Sequence, residues 1–218
     1  MKTAERPFQF VTASYLTRIS NCKAANLAEL GEGLEKSSDA SIFYHTFQTL
    51  SRHHFLTEGF SNDFAQWVLA ACNRAELAEQ LASLDIRDYL SLAELRNDLH
   101  RLVTEYCGQN LQYARQEAFE PFFFCEAVEV AVPLGVQALT CGEFRRGLER
   151  LSHASFYYHF IASRLRLHLR TNDFSNWLEN SLGLTALAQQ VNQIDIYTNT
   201  LESARAKMVA LIDEGASR

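Results

Sequence analysis

Apolar positions in this chain follow two spacings. Phe8 to Ile19 and Phe122 to Val132 are rich in aromatic and β-branched residues, and the second alternates through Glu126-Ala-Val-Glu-Val-Ala-Val before Pro133-Leu-Gly135. Each segment predicts a short strand. Elsewhere the helical period takes over. Helices are predicted from Asn26 through Leu34, from about Ala40 to Leu56, onward from Asp63, over Arg74 to Leu84, and from Ser91-Leu-Ala-Glu94, a capping-box pattern, to about Cys107. Asp63 and Asp173 stand just before apolar-periodic runs, where a side-chain oxygen caps exposed helical N–H groups.

The same order of elements comes round twice. Ser38, Ala40, Ser41, Tyr44 and His45 recur as Ser152, Ala154, Ser155, Tyr158 and His159, at a constant offset of 114 residues. The register pairs Pro7-Phe8-Gln9-Phe10 with Pro121-Phe122-Phe123-Phe124, and Arg52 and His54 with Arg166 and His168. Four residues then drop out of the second copy, and at an offset of 110 Asn62-Asp63-Phe64-Ala-Gln-Trp67 faces Asn172-Asp173-Phe174-Ser-Asn-Trp177. The second round predicts helices from near Gly142 through Leu151, from Ala154 to Leu169, from Asp173, and from Leu201 to Ile212. The deletion places Glu58 to Ser61 in a surface loop of the first copy. The fold class expected is mostly α, with short strands allowed, built as two pseudo-symmetric helical repeats packed together. The lobes are residues 1–107 and 121–218, joined by 108–120, which has no Gly/Ser-rich tether.

Composition narrows the function. At 218 residues and 47% apolar the chain can bury a substantial core, and a net charge of -6 gives no global attraction to phosphate backbones. Nucleic acid is not expected as a partner. No apolar run is long enough to span a membrane and no secretory run opens the chain, so a cytoplasmic location is expected. The five cysteines include no C-x-x-C pair, and Cys22, Cys72, Cys125 and Cys141 face apolar residues in the other copy. They read as reduced thiols acting as small core hydrophobes.

The duplicated polar residues carry the candidate chemistry. His45 and His54 are nine residues apart, as are His159 and His168, which on a straight helix at about 100° per residue sets the rings on opposite sides. They cannot form a local chelate. His45 and Arg52, seven apart, share a face, as do His159 and Arg166, and Asp63 or Asp173 arrives from the next helix start. One reading is an anion-binding notch in which Arg and imidazole engage a carboxylate or phosphate beside Tyr44 or Tyr158 and Trp67 or Trp177. The other is an internal His/Arg/Asp network locking helix to helix, with the tryptophans as core aromatics. A metal site would have to draw on His45, His54, Asp63, Asp85 and their counterparts His159, His168, Asp173 and Asp195 from several helices, and Glu-x-x-His pairs are absent.

The motif pair S-x-x-Y-H followed by N-D-F-x-x-W, present twice over nearly the whole chain, resembles a bacterial tandem-repeat family of roughly this length known only as a domain of unknown function. The resemblance implies the two-copy architecture and brings no activity, cofactor or catalytic residue. The function expected is a non-enzymatic binding or regulatory module acting with a protein partner or a small anionic ligand, without a cofactor. The alternative is a metal-dependent enzyme with a His/carboxylate site between helices.

Overall fold

Both segments predicted as short strands form long ones in a computed structural model of the protein, which describes residues 3–48, 60, 62–166, 171–195 and 198–216, apart from the side chains of 87, 165, 166 and 216. Strand β1 spans Thr3–Ala24 and β2 spans Phe122–Thr140, 22 and 19 residues, and they pair with each other as a two-stranded antiparallel sheet. Pro7 and Pro133, which lack a backbone N–H, fit such a ribbon because each strand keeps an outer edge. Gly135 takes the left-handed conformation (φ 71°) inside β2, where a side chain would be strained.

Helices make up most of the remainder. After β1 come α1 (Leu27–Lys36), α2 (Asp39–Phe43), α3 (Asp63–Ala70), α4 (Ala75–Ala82), α5 (Leu92–Gln109) and α6 (Leu111–Ala114). After β2 come α7 (Cys141–Arg150), α8 (His153–Tyr157), α9 (Ser163–Arg166), α10 (Asp173–Asn180), α11 (Thr185–Asn192) and α12 (Leu201–Ala216). Their starts follow capping chemistry: Asn26, Ser38, Ser91, Thr140 and Ser152 each accept a backbone N–H from the first turn. Asp63 and Asp173 are not the caps; Asn62 and Asn172 are, which frees both carboxylates for another partner.

The helix expected from Ala40 to Leu56 is not regular. After α2 the chain widens into a π-turn at Tyr44–Gln48, and α8 runs into another at Tyr158–Ala162. Side-chain hydroxyls donate to carbonyls at these turns, Thr46 to Ile42 (2.7 Å) and Ser163 to His159. The 100° arithmetic for a straight helix therefore does not carry past His45 or His159. The segment 49–59 and the positions of the four-residue deletion, Phe60 aside, lie outside the described residues.

The expected fold class, mostly α with two pseudo-symmetric helical repeats packed together, is corrected here. Helices dominate, yet the long antiparallel ribbon is a principal element, because its aromatic segments supply core side chains. The chain divides into two compact units, residues 1–15 with 129–218, and residues 16–128. Residues 1–15 thus belong with α7 to α12, and residues 108–128 with α1 to α6.

Within the unit of residues 1–15 and 129–218, Phe8 and Phe10 are buried against Phe144, and Phe8 also meets Phe174 and Trp177. Within residues 16–128, Phe122 and Phe124 are buried beside Phe64, and Phe122 also meets Trp67. Truncating one such ring costs about 3–5 kcal/mol, so each aromatic strand segment is anchored to its helices. Close approach is secured by glycine: a Cβ on Gly33 would penetrate the Phe124 ring, and one on Gly147 the Phe10 ring.

Candidate functional site

Each unit builds one polar set on its aromatic floor. Among residues 16–128, the π-turn after α2 carries His45 and the first residue of α3 is Asp63, and His45 Nδ1 lies 2.8 Å from Asp63 Oδ2. The Cys125 N–H of β2 donates to His45 Nε2 at 2.9 Å. Among residues 1–15 and 129–218, His159 Nδ1 lies 2.8 Å from Asp173 Oδ2, and the Val11 N–H of β1 donates to His159 Nε2 at 2.9 Å. Both imidazoles are 3% exposed, and the Asp63 and Asp173 side chains 28% and 23%.

Protonation follows from these contacts. Nε2 receives an N–H, so it carries no proton, and Nδ1 holds the proton and donates it to the carboxylate. In a Ser-His-Asp triad the nitrogen far from the acid faces the nucleophile and takes its proton. Here that nitrogen faces a backbone N–H, which has no proton to give up and fills the lone pair. Neither ring has a free nitrogen for proton transfer, nucleophile activation or metal ligation. A two-stranded ribbon has N–H groups without strand partners, and each histidine satisfies one of them.

The neighbouring candidates are also engaged. Trp67 Nε1 donates to the Glu120 carbonyl and Trp177 Nε1 to the Arg6 carbonyl, both at 2.8 Å. Buried Tyr44 places its hydroxyl 3.3 Å from Thr17 Oγ1 and its ring edge-on to His45, while Tyr158, half-buried, meets His159 the same way. Phe122 packs on His45 (4.7 Å between ring centres) and Phe8 on His159 (4.9 Å). The structure thus gathers Tyr44, His45, Asp63 and Trp67 in one unit, and Tyr158, His159, Asp173 and Trp177 in the other. Arg52, His54 and His168 and the side chain of Arg166 lie outside the described residues. Asp85 and Asp195 stand in turns, where the Asp85 carbonyl accepts the Asp88 N–H (3.0 Å) and Asp195 Oδ1 the Thr198 N–H (3.2 Å). Among the described residues no three His, Cys, Asp or Glu converge as a metal site, and no helix is long and apolar enough to cross a membrane.

Sequence reasoning missed the backbone partners, Val11 and Cys125. Their signal was present in the matched Pro-Phe-x-Phe segments, each of which leads to one of these N–H groups. The cysteines form no disulfide, and all five are half-buried rather than core residues. Burial still pushes the Cys72 thiol up to about 11.

A second feature lies among residues 129–218. A cavity of about 680 Å³ opens between the start of α7, the turn into α11 and the end of α12, with mostly apolar walls and an Arg145–Asp213 ion pair at its edge. A smaller space of about 420 Å³ among residues 16–128 is lined by Lys36, Ser38, Ser41 and Glu126. There Ser38 and Arg18 both donate to Glu126 and hold its carboxyl below the usual range.

The chain belongs to the family of unknown function DUF5752, whose model matches residues 5–213. It is similar in structure to OrfY from Thermoproteus tenax, with a TM-score of 0.86 and 28% identity over 99% of this chain and 98% of that one. No protein of curated function matches it in sequence.

Proposed function

We propose that this DUF5752 member is a non-enzymatic binding or regulatory module, in which the two His–Asp sets hold strand to helix within each unit rather than engage the ligand. One observation carries this reading: Nε2 of both His45 and His159 accepts a strand N–H while Nδ1 is committed to an aspartate. A catalytic histidine needs a nitrogen facing substrate, and a metal ligand needs an open lone pair. The chemistry left to the chain is recognition by surface and cavity. The matched segments support an internal duplication as part of this reading, and five cysteines without a disulfide fit a reducing, cytoplasmic setting.

A thermal-shift screen of the wild type and His159→Gln against zinc, manganese, organic phosphates and carboxylates tests the assignment. The variant is expected to melt at a lower temperature while keeping every ligand response of the wild type. A response lost specifically with His159 would return the histidine to the ligand site.

A further inference from the structure

The cavity at the end of α12 has a counterpart among residues 16–128 that the chain itself fills in part, leaving a smaller space of about 230 Å³ beside Leu27, Gly31 and Val103. Buried positions Leu95, Leu99 and Val103 of α5 match Ala204, Met208 and Ile212 of α12 in spacing, which puts Gly215 where Tyr106 stands. Asn73 (φ 55°) and Gly183 (φ 64°) occupy the same left-handed position in the turns after α3 and α10. In residues 16–128 this corner is closed by buried Tyr106, by α6 packing against α1, and by Tyr113, whose ring lies 3.9 Å beneath the Arg74 guanidinium. The following backbone is fastened there as well, with Ala118 N–H donating to the Ala25 carbonyl (2.7 Å) and Phe119 N–H to that of Ala71 (2.8 Å).

Among the described residues of the other unit the matching surface is open. Gly215 offers no ring, Leu184 replaces Arg74, and the walls are Cys141, Gly142, Leu187 and Ile212. We propose that this cavity binds a peptide segment of a partner protein, an aromatic side chain followed by a short helical turn, reproducing what Tyr106, Tyr113 and α6 do in residues 16–128. The proposal rests on the binding-module reading and names its site and partner chemistry. The volume is that of a ligand pocket. The counterpart indicates the occupant, since Tyr106, Tyr113 and α6 reduce the matching space to about 230 Å³ in one unit while about 680 Å³ with apolar walls is left in the other. Among the described residues that line the cavity, the only charged side chains, Arg145 and Asp213, are paired with each other.

The test uses a fluorescein-labelled peptide with this chain's residues 105–120 as probe, titrated with the whole protein and read by anisotropy. Saturable binding is expected, weakened about tenfold or more when both peptide tyrosines are replaced by serine. Gly215→Tyr should fill the cavity from within, since a Cβ there meets nothing within 4 Å, and it should raise the melting temperature beyond Gly215→Ala while abolishing peptide binding. Absence of binding, binding indifferent to the tyrosines, or binding unchanged in Gly215→Tyr each overturns the proposal. Saturation by a small apolar dye that the peptide cannot displace overturns it in favour of a small-molecule pocket. None of these outcomes bears on the histidine tautomers, which test the broader reading separately.

Discussion

His159 and Asp173 are joined at 2.8 Å through Nδ1, with the Val11 N–H closing the other side of the ring, and His45 and Asp63 are joined at the same distance with Cys125 in that place. In each case the imidazole spans the gap between the first turn of a helix and a strand. Removing it therefore takes the acceptor from a strand N–H and one partner from the carboxylate. His159→Ala is expected to destabilise by about 2–3 kcal/mol. Asp173→Asn, whose amide oxygen still accepts from Nδ1, should cost about 1 kcal/mol. Urea midpoints of the two variants check the order, and equal losses would show that the ring's shape matters and its hydrogen bonds do not.

Gly147 and Gly33 give a packing prediction of opposite sign to helix propensity. Alanine at a helical glycine ordinarily gains about 1 kcal/mol. Here the added methyl runs into Phe10 or Phe124, each 1% exposed and wedged against other rings. Gly147→Ala is expected to destabilise by about 1–3 kcal/mol, with Phe10→Leu in the same chain recovering part of it. A simple stabilisation by Gly147→Ala would contradict the close approach.

Glu126 supplies the pH dependence. Its carboxyl is lowered first by the Ser38 hydroxyl and then by Arg18, so the folded state binds its proton less tightly than the unfolded chain does. The stabilisation is complete above the ordinary glutamate value of about 4.3 and is lost as pH falls through the folded value. The gap in urea midpoint between wild type and Glu126→Gln should be widest at neutral pH and close on acidification. A gap that grows toward low pH would reverse the sign and refute the contact.

Cys72 is held in its thiol form to about 11 by burial, with Arg74 opposing. Alkylation by iodoacetamide at pH 8 should be slow in the folded protein and accelerate on unfolding, read by peptide mass. Reaction at Cys72 as fast as in the unfolded chain would contradict the burial.

The polar pair was visible in the sequence because it is written twice. His45 and His159 stand at one offset and Asp63 and Asp173 at the next, which brought the right residues together without their geometry. The caps were legible from side-chain chemistry at Ser38, Ser91 and Ser152, while Asn62 and Asn172 were masked by the acids beside them. Strand length was underestimated because Leu16 and Ile19 on β1 and Val128 to Val136 on β2 are exposed apolar residues, which give no clean in-out alternation. Which helices Phe8 and Phe122 cover was beyond periodicity, since a pattern of buried positions does not say what buries them. The π-turns were invisible too, because they follow from hydrogen bonds of Thr46 and Ser163 rather than from a propensity.

The central claim is that both buried histidines are internal links with no free nitrogen, and long-range proton–nitrogen correlation spectra of nitrogen-15-labelled protein read it most directly. His45 and His159 are expected as neutral Nδ1–H tautomers with unprotonated, hydrogen-bond-accepting Nε2, unchanged by added zinc or organic phosphates and assigned by His45→Gln and His159→Gln. A proton on Nε2 of either ring, or a nitrogen shift on adding zinc or phosphate, would contradict it and restore these histidines as a working site.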